Sequence, residues 1–599
     1  MKQQKDHLYK LRHSLAHIMA QAVLQIRPDV KLGFGPPIDT GFYYDFDFGD
    51  NPIQDSDLKQ IEKRMQKIIK QKQEFSCSVK SLETAVEGLL DANQTYKADY
   101  AKELASSGEE LSFYVNGSFI DLCEGPHLEN TGEVPKGCFS LDKIAGSYWR
   151  GSEKNPMLTR IYALCFEDAE ALKEFKKMRE LARQRDHRKL GTELELFMFS
   201  DEVGVGLPLW LPKGNVIREE LEKWAKEEEF KAGYKSVSTP SITKGKLYEL
   251  SGHLPYYKDG MFPPMQIDEG DEYYLRPMIC PHHHAIYGNR PRSYRELPYR
   301  ISEYGDTFRF EKHGSLAGLL RVRSMCMNDA HIYCTREQVA EEFRAVLKMY
   351  NYYYNKLRFG DFRVRLSLHD ADSGKFVDQE EEWLQSEAMV RKILVDEGVE
   401  FEEEAGEAAF YGPKIDIQVK NLLGREETVS TCQLDFIMAE RFNLKYTNSE
   451  GNEEQPYILH RAPLSTHERF ISFLIEKYGG AFPTWMSPVQ VQLVPVGDHV
   501  LKYCEEIEEL LRENLFRVEV DNSSDSFGKK VRKAITSKVP NIWIIGGDEQ
   551  ENRTVAWRRY CGGKEQQVVS LDDGLKALNI MRSERLMDNF DDVALPLEK

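Results

Sequence analysis

The stretch TFRFEKHGSLAGLLRVRSMCMNDAHIYC, residues 307–334, decides the reading of the fold. Its first run, Phe308–Glu311, reads as a strand in which Arg309 and Glu311, at i and i+2, face the same side. There Arg309 can pair with a phosphate while Glu311 accepts from an adenine amine. A Gly-rich turn and LLRVRS follow, then an apolar strand-like run holding His331. Outward from this stretch, over residues 193–485, helices alternate with many short strands and Gly/Pro turns. That pattern predicts a large mixed, mainly antiparallel sheet. STHERF, 465–470, places Arg469 at the start of a helix-like stretch. Arginines converging on phosphates suit adenylate formation, where charge develops on the α-phosphate. No GxxxxGKS occurs, so P-loop chemistry is excluded.

Two more chemistry-bearing residues lie far from His331: Cys280 in RPMICPHHH and His460 in YILHRAP, separated from it by 51 and 129 positions. Such spacing says nothing by itself, and each residue alone is more often structural than a ligand.

The first 165 or so residues carry a different His/Cys set. On a helix spanning 8–26, His13 and His17 are one turn apart and share a face. Leu15, Ile18, Met19, Ala22 and Ile26 form an apolar stripe almost opposite them. The histidines therefore line solvent or a pocket. A second helix is expected over 56–73. The hairpin LSFYV-NG-SFIDLC, 111–123, is expected to turn at Asn116-Gly117 in type I′ form. It ends at Cys123, and His127 follows after Glu-Gly-Pro. HxxxH plus CxxxH supplies four good ligands, so spacing alone suggests zinc.

Residues 168–190 predict one helix, with eight Lys/Arg against three Asp/Glu between Ala171 and Leu190. It reads as a solvated linker or as a segment that also tracks an RNA backbone. From Ser487 the order β-α-β-α predicts an α/β sheet domain of about 100 residues. Within it, 521–564 carries nine Lys/Arg against five Asp/Glu, interleaved with Phe527, Trp543, Trp557 and Tyr560. Such aromatics serve unstacked RNA bases or an ordinary core. The tail, 583–599, reads as loosely ordered.

With 599 residues the chain exceeds one core. The ten cysteines form no CxxC pair and suit a reducing cytoplasm. No apolar run is long enough for a membrane span, and His17 and Gln21 interrupt the stretch a signal peptide would need. The net charge of −18 leaves nucleic-acid binding to local basic segments.

FRFE resembles motif 2 of class II aminoacyl-tRNA synthetases, THERF resembles motif 3, and GYKSVSTPSI around Pro240 resembles motif 1. With MNDAH, FYGPKID, CQLDF, HRAPL and FPTWMSPVQV, the resemblance is specifically to the threonyl-tRNA synthetase family and covers almost the whole chain. It implies an α/β and α+β multidomain protein: an editing domain over 1–166, a basic linker helix over 167–192, an antiparallel class II catalytic domain over 193–486 and an anticodon-binding domain over 487–599. The family's small N-terminal TGS domain is expected to be absent. The implied activity is ATP-dependent threonylation of tRNA-Thr with hydrolysis of Ser-tRNA-Thr, in a cytoplasmic homodimer without membrane contact.

The resemblance also implies roles. Cys280, His331 and His460 would hold one catalytic Zn²⁺ per subunit, and Mg²⁺ would accompany ATP. Asp329 would hold the threonine hydroxyl, with Tyr411 and Gln433 completing that pocket. Arg309 would bind the α-phosphate, Glu311 the adenine, and Arg321 and Arg469 the other phosphates. His13, His17, Cys123 and His127, supported by Lys97 and Asp121, would form a metal-free serine-removing pocket, against the zinc that spacing favours. Arg532, Arg558 and Glu549 would read the anticodon.

Five positions depart from the family's pattern: Met327 for Gln, Glu427-Thr428 for Trp-Gln, Ser465 for Gly and His282 for Gly. The competing readings are a trans-editing hydrolase with a degenerate synthetase body and a non-enzymatic RNA-binding regulator. The intact FRFE, ERF and Cys/His/His set disfavours both. A relative charging proline, histidine or serine is disfavoured by the editing domain together with the zinc triad.

Overall fold

The computed structural model describes residues 2–268, 271–360, 362–370, 376 and 379–597. The chain divides into two compact units, Met1–Glu180 and Leu181–Lys599.

In the first unit the helix Lys2–Ile26 packs its apolar stripe on a sheet ordered Lys31–Leu32, Gly41–Asp47, Met157–Cys165, Phe139–Tyr148. Leu15, Ile18, Met19 and Ala22 meet Phe42, Phe46 and Ile161 in one core. The helix Leu58–Lys70 adds Ile61, Met65 and Ile68 to it. A second sheet joins Phe75–Val79, Ser112–Asn116 and Phe119–Leu122. The hairpin forms, but its two-residue loop is Gly117-Ser118, because Asn116 pairs with Phe119. Positive φ falls on Gly117 alone, which fits a type II′ rather than a type I′ turn. Asn116 stays in the strand because its buried amide donates to Gln21 Oε1 at 2.9 Å and to Gln73 Oε1 at 3.1 Å. Those bonds tie the hairpin to the long helix.

The basic segment is two helices, Ala169–Arg185 and His187–Glu193. Asp186 separates them by capping the second, its side chain accepting from the Arg188 N–H.

The second unit is built on an eight-stranded sheet. Its order is Lys235–Ser236, Tyr299–Phe308, Ser324–Cys334, Tyr457–Ala462, Glu426–Asp435, Lys414–Lys420, Phe362–Leu368, Phe401–Ala405. All pairings are antiparallel except those of the two edge strands. Helices Pro212–Lys231, Val339–Lys356 and His467–Tyr478 cover its apolar face, with Trp224, Phe343, Tyr350 and Phe470 in the core. Thr466 caps the last of these helices, and Gly479, at φ 58°, ends it.

The C-terminal module is a five-stranded sheet ordered Val518–Val520, Val491–Pro495, Asn541–Ile545, Thr554–Arg559, Gln566–Ser570. Trp543 and Trp557 belong to its core, which selects the ordinary reading of those two aromatics. Through Leu597 the tail is not loose. Asp588 is buried and accepts from Thr484 N at 2.9 Å and Thr484 Oγ1 at 2.6 Å. Arg559 holds the carbonyls of Asp588 and Val593. These carbonyls are the partners a half-buried arginine needs.

Candidate functional site

In the first unit the long helix supplies His13 and His17, and the end of the hairpin supplies Cys123 and His127. One ligand atom from each lies within 4.8 Å of the others. Cys123 Sγ is 3.2 Å from His13 Nε2 and 3.4 Å from His127 Nε2. The outer nitrogens are engaged as well: His13 Nδ1 lies 3.3 Å from the Pro126 carbonyl, and His127 Nδ1 lies 3.2 Å from Ser14 Oγ. Both helix histidines are buried, so the face opposite the apolar stripe lies beneath the hairpin and opens on a cavity of about 540 Å³. Lys97 and Asp121, both buried, pair at 2.7 Å. Asp121 also accepts from Tyr44 OH at 2.5 Å and lies 3.6 Å from His17.

Burial lowers the pKa of all three histidines below the ordinary value. Burial, then Asp121, pushes the Cys123 thiol up to about 12. The cluster is therefore neutral imidazoles around a protonated thiol, beside a buried ammonium–carboxylate pair. It can hold and polarise a water; the thiol is no nucleophile in this state.

On the large sheet, antiparallel register puts His331 directly opposite His460, and Gln433 opposite His460 on its other side. The two imidazole centroids are 4.4 Å apart. Asp329 lies two residues before His331, on the same face. Cys280 opens the helix Cys280–Tyr287, and its sulfur lies within 4.8 Å of a ring nitrogen of each histidine. Tyr411 stacks on His460 at 5.2 Å and donates its hydroxyl hydrogen to Gln433. Asp435 contacts His460 Nε2 at 2.8 Å, and His283 contacts His331 Nδ1 at 2.7 Å. His331 Nε2 is buried with no protein partner. Burial, then Asp329 and Asp435, raises the Cys280 thiol.

His283 and Asp435 were missed in sequence. The HHH run and the Asp of CQLDF were in view, but supporting contacts of this kind are readable only once register is known. Ser14 and Tyr44 escaped for the same reason at the first cluster.

Arg309 and Glu311 are not on the strand, which ends at Phe308. A tight turn closed by Glu311 N–H donating to the Arg309 carbonyl at 2.8 Å carries them instead. Strand alternation therefore does not orient them. Arg309 donates to the Pro277 carbonyl, and Glu311 pairs with Arg321 at 2.9 Å. Arg469, in the first turn of its helix, pairs with Glu427 at 3.2 Å, and Arg321 is close enough to act on its charge. Ser465 has φ 51°, the left-handed conformation that glycine adopts most readily. His282 is buried with both ring nitrogens unpartnered.

In the C-terminal module Arg532 is exposed on the helix Phe527–Thr536. Arg558 lies on Thr554–Arg559 and donates to the Gly563 carbonyl at 2.7 Å. Glu549 is spent on its own helix, accepting from Gly546 N at 2.8 Å. Among the described residues no helix is long and apolar enough to cross a membrane.

Comparison with known proteins places this geometry. Residues 264–478 match the tRNA synthetase class II core domain (G, H, P, S and T), 490–579 an anticodon-binding domain, and 111–162 the threonyl and alanyl tRNA synthetase second additional domain. Threonine–tRNA ligases of Streptococcus pneumoniae strains Hungary19A-6 and 70585 are each 46% identical over 578 residues, covering 96% of this chain and 88% of theirs. A Cryptosporidium parvum Iowa II structure, described as the RNA-binding domain of threonyl-tRNA synthetase, superposes with TM-score 0.63 at 34% identity. It covers 66% of this chain and 98% of its own. With a class II core, an anticodon-binding domain and an editing domain in one polypeptide, the chain belongs to the threonyl-tRNA synthetase family, ligases that charge tRNA with threonine.

Proposed function

We propose that synthesis and proofreading are divided between the two His/Cys sets: the large sheet activates threonine and charges tRNA-Thr, and the N-terminal cluster hydrolyses Ser-tRNA-Thr. The observation that carries this reading is the cross-strand pair His331/His460 with Cys280 in reach and His331 Nε2 buried without a partner. That donor set fits one Zn²⁺ per subunit held by Cys280, His331 and His460. His283 and Asp435 would orient the imidazoles from behind, as supporting partners do in metal sites. Bound there, zinc would supply Lewis acidity toward the amino group and hydroxyl of threonine.

Asp329 accepts the substrate hydroxyl, and Tyr411 and Gln433 wall the pocket. Arg309 steadies the α-phosphate, Glu311 takes the adenine amine, and Arg321 and Arg469 take the remaining phosphates of ATP, which arrives with Mg²⁺. Valine leaves the hydroxyl-reading groups unsatisfied and is rejected. Serine lacks only a methyl, worth about 1–3 kcal/mol, which is too little for accuracy. The second cluster answers this need. His13, His17, Cys123 and His127 position a water without a metal; the buried Lys97 ammonium opposes added positive charge at His17, while Asp121 offsets it at His13 and Cys123.

The domain limits are 1–166 for editing, 167–192 for the linker, 193–486 for catalysis and 487–599 for the anticodon. Arg532, Arg558 and Glu549 read that anticodon, although Glu549 must first leave its helix cap. The segment around Pro240 serves a homodimer, in the cytoplasm.

The test is pyrophosphate exchange with threonine, serine and valine, with and without a zinc chelator. Exchange should follow threonine, then serine, with valine poor, and should be lost with the chelator. Chelator-resistant exchange would overturn the zinc assignment.

A further inference from the structure

We infer that Glu427 is an affinity-setting residue of the nucleotide site: its carboxylate occupies Arg469 until a phosphate group displaces it. This rests on the reading of Arg469 as a phosphate ligand.

Four charged side chains meet in two ion pairs, Arg321–Glu311 at 2.9 Å and Arg469–Glu427 at 3.2 Å. The two arginines are mutually close, since the charge of Arg321 acts on Arg469. Without nucleotide each guanidinium therefore keeps its own carboxylate as counter-charge. Glu311 has a separate task at the adenine. Glu427 has none, and it stands where the family places an uncharged Trp.

The Arg469–Glu427 bond is single, not a two-pronged fork. Glu427 touches one terminal nitrogen, while Arg469 Nε is buried with no partner. A guanidinium with an unfilled buried donor beside an occupied one is poised for a ligand with several acceptor oxygens. A phosphate can satisfy both donors, and a carboxylate placed as Glu427 is satisfies one. The neighbouring Thr428 hydroxyl accepts from Gln418 Nε2 at 2.8 Å. The strand is irregular here, the register slipping between Ile417 and Gln418, opposite the stretch that carries Glu427. Both side chains keep about a third of their surface exposed, at 33% and 28%, so the pair can break without stranding a buried charge.

The exchange follows from charge. When the triphosphate arrives, the phosphate oxygens take the guanidinium and Glu427 turns to solvent. Its negative charge then opposes the ligand and raises the ATP concentration needed for half-saturation.

Threonine-dependent pyrophosphate exchange on the full chain tests this, with Glu427→Gln, Glu427→Asp and Arg469→Ala. In Glu427→Gln the KM for ATP should fall roughly two- to fivefold, the range expected for a partly exposed ion pair, with the threonine KM as the internal reference. Glu427→Asp keeps the charge and should stay near the parent. An unchanged ATP KM in Glu427→Gln overturns the inference. So does a rise in both the ATP KM and the Mg²⁺ requirement, which would make Glu427 a partner of the metal–phosphate complex. Arg469→Ala separates the two claims. If it leaves the ATP KM untouched, the phosphate assignment itself fails. If it raises the ATP KM while Glu427→Gln does nothing, only the role of Glu427 fails. Thermal unfolding of each variant reports whether the fold is intact.

Discussion

In the N-terminal cluster a lysine ammonium is buried beside three histidines and a cysteine, whereas on the large sheet a cysteine and two histidines sit among carboxylates. Lys97 reaches His13, His17 and Cys123 electrostatically; Asp121 opposes it at His13 and Cys123, and Glu124 adds to Asp121 at Cys123. Around Cys280, His331 and His460 the near carboxylates are Asp329 and Asp435, with Glu303 behind His283, and the near cations are Arg309, which acts on Cys280, and Arg461, which acts on His331. Each set keeps one unsatisfied ring. In the cluster the inner nitrogens of His13 and His127 lean on the Cys123 thiol and His17 Nδ1 has no partner, while on the sheet it is His331 Nε2 that has none. Donor identity and spacing alone would have ranked the first set as the better metal site. The number of surrounding carboxylates ranks the second, because a dication needs nearby negative charge.

The largest effect expected from breaking this contrast is in Cys280→Ser. Zinc content should fall from one atom per chain to none, and threonine-dependent exchange should vanish, while Ser-tRNA-Thr hydrolysis continues. Metal analysis with the two assays checks it, and joint loss of both activities would contradict independent centres.

Lys97→Met attacks the contrast from the other side. It strands Asp121 as an unpaired buried carboxylate, a cost of about 3–5 kcal/mol, visible as an early unfolding transition of the N-terminal unit. Deacylation should drop, and zinc uptake should rise above one per chain. A stoichiometry that stays at one would show that the ammonium is not what excludes metal.

The pH dependence sharpens the comparison. His13, His17 and His127 have folded pKa values below 6.5, so the unfolded chain binds protons first as pH falls. Their contribution is complete above pH 6.5 and is lost as pH drops below it. Each ring contributes at most about 1.4 kcal/mol per pH unit, over the range in which it stays neutral in the folded protein. Denaturant midpoints of the N-terminal unit between pH 7 and pH 5 measure this, and a flat profile would mean that the three rings are not held neutral.

The smallest effect concerns the helix that carries Arg469. Ser465→Gly at φ 51° should stabilise the protein by about 0.5–1 kcal/mol. Chemical denaturation reads this directly, and a loss of stability would show that the serine hydroxyl is worth more than the strain.

Much of the fold was legible because its signals are local. Apolar periodicity located the long helix, the alternation of strands with turns announced the antiparallel sheet, and β-α-β-α announced the C-terminal module. The failures were tertiary. Asn116 reads as a turn residue by propensity, but its amide is worth more between Gln21 and Gln73. Arg309 and Glu311 read as strand neighbours, but the strand stops one residue short of them. The tail reads as loose, yet Arg559 and Thr484 claim its carbonyls and the Asp588 carboxylate.

What the sequence determined by itself was chemical inventory and family: which donors, which arginines and which motifs, in which order. Side-chain identity and short-range periodicity carry that information without any knowledge of distant contacts. What only the tertiary structure decided was adjacency and surrounding charge. His331 and His460 are 129 positions apart and become neighbours through the register of two strands. Lys97 becomes a buried cation beside the first cluster only because its helix packs against the hairpin. Long-range register and burial set the local field, and the field, more than the list of ligands, is what the proposed division between a zinc centre and a water-holding one rests on.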